Sequence, residues 1–175
     1  MNKQRSGTLA LAGVFTALAV VFLLLTAVIP TVGFAALAGV CGIPVVIERG
    51  RAAGLVHFVA VALLALILVP TMEGKGMYIA FFGWYTVFKA WVESRNLPRP
   101  AEWAVKIAAF AAAMAAYGAV WVFLLKMPLP QQLWLIPPAA VALCAVFAVY
   151  DGGLTGVITV YHSRIRPKIS RLFRI

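Results

Sequence analysis

Residues 8–29 read TLALAGVFTALAVVFLLLTAVI, a run without one charged or amide side chain. A bilayer core about 30 Å thick is crossed by about 20 such residues in a helix. Lys3 and Arg5 precede the run, as they would in a secretory signal. Leu9 to Ile29 is longer than the usual apolar stretch of a signal, about 7–15 residues, and reads as a retained first span.

Five more segments of this kind follow. Pro30-Thr31-Val32-Gly33 reads as a tight turn, and Phe34–Ile47 as a short second span closed by Glu48-Arg49-Gly50-Arg51. Ala52–Val69 is the third, ended by Pro70. Thr71–Gly76 reads as a polar loop before an aromatic-rich fourth span, Met77–Val92. Glu93–Glu102, with Pro98 and Pro100, is the longest polar linker. Trp103–Leu125 is the fifth span, and Lys126–Trp134 a loop. The sixth runs from Pro138 to Tyr161, since prolines such as Pro137 and Pro138 suit a helix's first turn. The spans therefore lie at about 8–29, 34–47, 52–69, 77–92, 103–125 and 138–161. They belong to one integral membrane domain over 1–175, with a basic tail over 162–175. The runs are too uniformly apolar for barrel strands, and in hydrocarbon a helix satisfies its own backbone. The expected fold is all-α, a six-helix polytopic bundle.

Composition agrees. Of 175 residues 64% are hydrophobic and 11% charged, and the mean hydropathy is +1.00. Soluble domains are nearer 45–50% and 25%. The net charge of +10 suggests nucleic acid until the basic positions are mapped. They fall in short segments between apolar runs, where they set topology and meet anionic lipid headgroups. Of the 15 Lys and Arg, Lys75 and Lys126 fall on one side. The other 13 (Lys3, Arg5, Arg49, Arg51, Lys89, Arg95, Arg99, Lys106, Arg164, Arg166, Lys168, Arg171 and Arg174) fall on the opposite side. That alternation puts both termini in the cytoplasm by the positive-inside rule. A multi-pass protein of a bacterial cell membrane is expected, with lipids as partners and no nucleic acid.

Small residues recur at four-residue spacing: Gly13 and Ala17, Ala35 and Gly39, Ala38 and Gly42, then Ala148, Gly152 and Gly156. Such spacing lets helix backbones approach closely in lipid. It serves packing within the monomer or docking of a partner subunit, for which Gly13 and Ala17 on the first helix are the candidates. Asp151 and Lys89 lie at similar depths, about 20 Å from Pro138 and about 18 Å from Met77. A lone charge there is costly, so an intramembrane Lys89–Asp151 ion pair is expected. It would fix packing or serve as a proton relay. His57, without a second ligand at metal spacing, reads as a hydrogen-bonded core residue. Cys41 and Cys144 read as packing residues. No metal or cofactor is expected.

Aromatic rings gather toward the less basic side. Tyr78, Trp84, Tyr85, Tyr117, Trp121 and Trp134 could stack on a flat organic solute, or form an interfacial belt. Thr31, Thr71, Glu73, Lys75, Gln131 and Gln132 supply polar groups nearby. Asp151-Gly152-Gly153 resembles the opening of the membrane CDP-alcohol phosphotransferase motif, but the Arg and further Asp residues of that motif are missing. There is no HExxH, GxSxG or Walker loop, and an enzyme is not expected.

The layout, together with the stretch Thr8-Leu-Ala-Leu-Ala-Gly-Val-Phe-Thr-Ala-Leu18, resembles the substrate-binding S component of energy-coupling factor transporters. The resemblance implies uptake of a vitamin or other micronutrient, with a T subunit and two ATPase subunits as partners. Gly13 and Ala17 would then dock onto the T subunit. The first outer loop, about four residues, is shorter than family members often have. Two readings stand beside this one. The first is a membrane scaffold or assembly protein whose tail binds anionic lipid or a cytosolic partner. The second is a proton-coupled secondary transporter built on Asp151.

Overall fold

A computed structural model describes residues 3–124, 126 and 136–166, which are all helical apart from short connections. Helix α1 spans Lys3–Leu25, α2 Val32–Val40, α3 Gly42–Leu68, α4 Met72–Met77, α5 Gly83–Glu93, α6 Arg99–Ala119 and α7 Ile136–Val160. Three π-helical turns, Tyr78–Phe82, Val120–Leu124 and Tyr161–Ile165, extend α4, α6 and α7.

Gly50 decides the path of the second and third segments. Its φ of 81° and ψ of 177° lie in a region open essentially to glycine alone, and they break α3 in the middle. In one straight helix Val46 and Gly54 would stand about 12 Å apart. Here a methyl group on Gly54 would run into the Val46 side chain. Likewise a methyl on Gly42 would sit 3.7 Å from the His57 ring. The chain therefore doubles back at Gly50, and α3 is a helical hairpin. Its first arm continues α2 across Cys41, whose φ of −61° and ψ of −18° remain helical. Pro44 explains the interruption there, because it has no N–H to offer the Val40 carbonyl and crowds it. The boundary expected at Glu48–Arg51 is thus a tight reversal of the chain at Gly50.

Three expectations are corrected. Thr71–Gly76 is not a loop, since helix begins at Met72 and continues through the π turn to Glu93. The Gly83 N–H closes that π turn on the Tyr78 carbonyl. Pro30–Gly33 is not wholly a turn, for α2 begins at Val32, capped by the Thr31 hydroxyl 3.2 Å from the Gly33 N–H. Helix α6 likewise starts earlier than Trp103, at Arg99. Pro100 sits in its first turn, and the Glu102 carboxylate complements its N-terminal dipole.

Contacts between helices define two ends. At one, the Arg51 guanidinium donates to Ser94 Oγ at 3.3 Å, and Arg166 pairs with Glu48 at 3.2 Å. At the other, Thr26 and Thr71 share a hydrogen bond of 2.8 Å. The first is called the basic end below. The core between them is aromatic. Phe81 lies edge-on to Phe82, Trp84, Phe110 and Phe147. Phe110 and Phe147 stack at 4.8 Å, joining α6 to α7.

The outside of the bundle is apolar too. Val56, Ile67, Phe123, Val141 and Val149 are each at least 70% exposed, which water would not favour over so wide an area. Among the described residues, Arg99–Phe123 and Ala140–Ile165 have the length and apolar character to cross a bilayer, as does Gly42–Leu68 counted through its break at Gly50. The arm of α3 beyond Gly50, Arg51–Leu68, is about 27 Å long. A shorter apolar helix, Leu9–Leu25, belongs to α1. The chain is a helical protein whose apolar helices suit insertion into a membrane.

The small-residue pairs divide. Ala35, Ala38, Gly39 and Gly42 are buried packing positions. By contrast Gly13, Gly152 and Gly156 face open space, with nothing within 4 Å of an added methyl.

Candidate functional site

Two constellations stand out, one charged and one aromatic, at different levels of the bundle. The first is a knot of charge near the basic end. The Lys89 ammonium donates to Asp151 Oδ1 at 2.7 Å and lies 2.8 Å from Glu93 Oε1. So the structure brings Lys89 and Asp151 together, and adds partners that the sequence reading did not include. Lys106 reaches Asp151 Oδ2 at 3.2 Å, Glu93 at 3.2 Å and Glu102 at 2.6 Å. Tyr85 donates its hydroxyl to Asp151 Oδ1 at 2.7 Å. Helix α5 thus supplies Tyr85, Lys89 and Glu93, α6 supplies Glu102 and Lys106, and α7 supplies Asp151.

Burial is deep on the cationic side. Lys89 is 1% exposed, Lys106 2% and Asp151 4%, while Glu93 and Glu102 open toward the surface. Both oxygens of Asp151 accept hydrogen bonds, and each ammonium has at least two acceptors. Low dielectric makes such pairing strong and makes the loss of any one member expensive. Lys106 reads in the sequence as one of the basic-side charges, yet its head is buried. Its signal was available: Glu102 and Lys106, like Lys89 and Glu93, stand four apart on a helix, where side chains meet.

The second constellation is a cleft of about 280 Å³ between α3, α4 and α6. Tyr117 and Trp121 form one wall, with ring centroids 6.0 Å apart and planes at 74°. Leu66, Ile79, Ala113 and Ala116 supply apolar surface, and Lys75 stands at the rim. The Lys75 ammonium donates to the Val69 carbonyl at 2.9 Å. Gly76 matters through its missing side chain, because a methyl there would press against the Tyr117 ring at 2.8 Å.

The six aromatic candidates therefore separate. Tyr117 and Trp121 share the cleft. Tyr78 is fully buried against Phe58, at a ring distance of 6.1 Å. Tyr85 is committed to Asp151. Trp84 donates its indole N–H to the Ala80 carbonyl at 2.8 Å and packs edge-on to Phe88. Trp134, with Gln131 and Gln132, lies outside the described residues, as do Lys168, Arg171 and Arg174. Periodicity placed these rings at one level, but could not say which faces of α5 and α6 would meet.

Other polar groups are accounted for individually. His57 Nδ1 is 3.0 Å from Thr16 Oγ1, which ties α3 to α1. Its Nε2, like the hydroxyls of Tyr78 and Tyr150, is buried without a hydrogen-bond partner. Cys41 is buried and Cys144 exposed, and neither is in a disulfide. Among the described residues no three His, Cys, Asp or Glu side chains are grouped to hold a metal ion. Ala17, like Gly13, points away from the bundle.

The class reached on this evidence is an all-helical protein suited to a membrane, with an internal charge knot and, among the described residues, an aromatic cleft with a lysine in its lining. Compared with protein-family models, curated proteins and solved structures, the chain matches none of them.

Proposed function

We propose that this protein is the substrate-binding membrane subunit of an energy-coupling factor type transporter, taking up a small micronutrient with the help of a T subunit and two ATPase subunits. In this reading the chain crosses the membrane six times. The crossings are α1, α2 with the first arm of α3, the second arm of α3, α4 through α5, α6, and α7. Both termini then face the cytoplasm, together with the basic end. The end-to-end contacts at Arg51–Ser94, Glu48–Arg166 and Thr26–Thr71 support that path.

The observation that carries the reading is the outward face of α1. Gly13 meets nothing within 4 Å and Ala17 is exposed, one turn apart near the middle of the helix. Where lipid is the solvent, small residues that pack against nothing in their own bundle leave a close-approach surface for another helix. The aromatic cleft, opening away from the basic end, is where such a subunit would hold its solute.

Asp151 offers less to a proton-coupled mechanism. Its two oxygens already take donors from two lysines and a tyrosine, the arrangement of a packing lock.

Co-purification in mild detergent tests the proposal. A T subunit and ATPases should accompany the wild-type chain. Gly13→Leu together with Ala17→Leu should abolish that association while leaving the thermal melt unchanged. A pull-down without such partners, or a Leu pair that still binds them, counts for a scaffold instead.

A further inference from the structure

The lining of the Tyr117–Trp121 cleft is specific enough to narrow its ligand, granted that the cleft is the solute site of the reading above. Two π-helical turns from separate helices converge there. Tyr78–Phe82 contributes Ile79 and Ala80, and Val120–Leu124 contributes Val120 and Trp121. Such turns are frequent at functional sites, where the extra residue swings side chains out of helical register.

The two rings meet at 74°, which leaves a corner rather than a closed stack. A planar body lying on one ring meets the other edge-on, the arrangement aromatic quadrupoles prefer. Polar lining is sparse, and that excludes sugars and nucleotides, whose many hydroxyl and phosphate groups would lose water without replacement. Among the described residues lining the cleft, Lys75 alone is charged. Glu73, its neighbour on α4, lines a separate small recess with Thr26 and Pro30. An ammonium has three donors, and the Val69 carbonyl occupies one of Lys75's. No acidic residue is among those lining the cleft, although the Glu73 carboxylate lies close enough to act electrostatically on the Tyr117 hydroxyl. A volume of about 280 Å³ lies at the small end for organic ligands, suited to one or two rings.

We infer that the cleft binds a small planar aromatic monoanion, its ring in the Tyr117–Trp121 corner and its carboxylate on Lys75. A membrane acyl chain is the competing occupant, and it would need neither planarity nor ring edges.

Isothermal titration calorimetry on the purified full-length chain in detergent tests this. The probes are 2-naphthoate, its neutral carboxamide, the cationic 2-naphthylmethylamine, and decanoate as a flexible anion. Naphthoate should bind, and the carboxamide about tenfold more weakly for want of the charge-assisted hydrogen bond. The amine and decanoate should bind more weakly still. Lys75→Gln should bring naphthoate down to the carboxamide's affinity and leave the carboxamide unchanged. Trp121→Ala should weaken both. Decanoate binding as tightly as naphthoate, amine binding as tightly, no binding of naphthoate, or indifference to Lys75→Gln would each overturn the inference. The outcomes separate from those of the co-purification experiment. Naphthoate binding without coupling subunits supports the site and removes the transporter reading. Coupling subunits without naphthoate binding do the reverse.

Discussion

The charge knot and the aromatic cleft are built from opposite materials. In the knot, Asp151, Lys89 and Lys106 are almost wholly buried, and each takes at least two partners from α5, α6 or α7. In the cleft, the rings of Tyr117 and Trp121 are partly open, and among the described residues Lys75 donates to the Val69 carbonyl alone. A buried charge paired with opposite charges from several helices of its own chain holds structure, because moving it leaves charge unpaired in low dielectric. A polar group with valences to spare beside unfilled volume is ready for a ligand. That contrast assigns the knot to stability and the cleft to binding.

The assignment can be broken in order of effect. Asp151→Ala should be the most damaging change, since it takes from two buried ammonium groups the one deeply buried carboxylate they share, at a cost of about 3–5 kcal/mol. Lys89→Met combined with Asp151→Leu should recover part of that loss, with a coupling of about 0.5–3 kcal/mol in a double-mutant cycle read by thermal or denaturant melting. A double variant destabilised by the sum of the Lys89→Met and Asp151→Leu single effects would show that the two residues are uncoupled. Next comes Gly50→Ala at the same end. A side chain at φ 81° and ψ 177° should cost about 1–3 kcal/mol by straining the hairpin reversal, measured in the same melts. The smallest effect is expected in the cleft. Tyr117→Ala should lower stability by about 1 kcal/mol or less, because its ring fills no closed core space, while naphthoate affinity falls. If it destabilised the chain as much as Asp151→Ala, the cleft would be a packing surface and the contrast would fail.

Particular residues show how far the sequence could carry the fold and the site. The run at 8–29 and the alternation of basic segments are local facts, and they suffice for helices suited to lipid. Gly50 within Glu48–Arg51 was readable as a break, though not as a tight reversal that packs Val46 on Gly54. Thr71–Gly76 misled because Gly74, Gly76 and charged neighbours resemble a loop, whereas in place they let α4 pack close to Thr26 and Tyr117. The Lys89–Asp151 pairing followed from depth along two helices. Lys106 was missed because the interfacial side of a helix end and its buried side look alike without knowing which face meets α7.

What the sequence alone determined, then, is what depends on one helix at a time: apolar length, the ends where charge collects, and the spacing of small and charged residues. Only the tertiary structure decided which faces meet. It sent Tyr85 to Asp151 and Tyr117 to the cleft, although both were ring residues of similar promise. The physical reason is that a helix's rotation about its axis is set by the summed packing of all its neighbours, and no single segment encodes that sum.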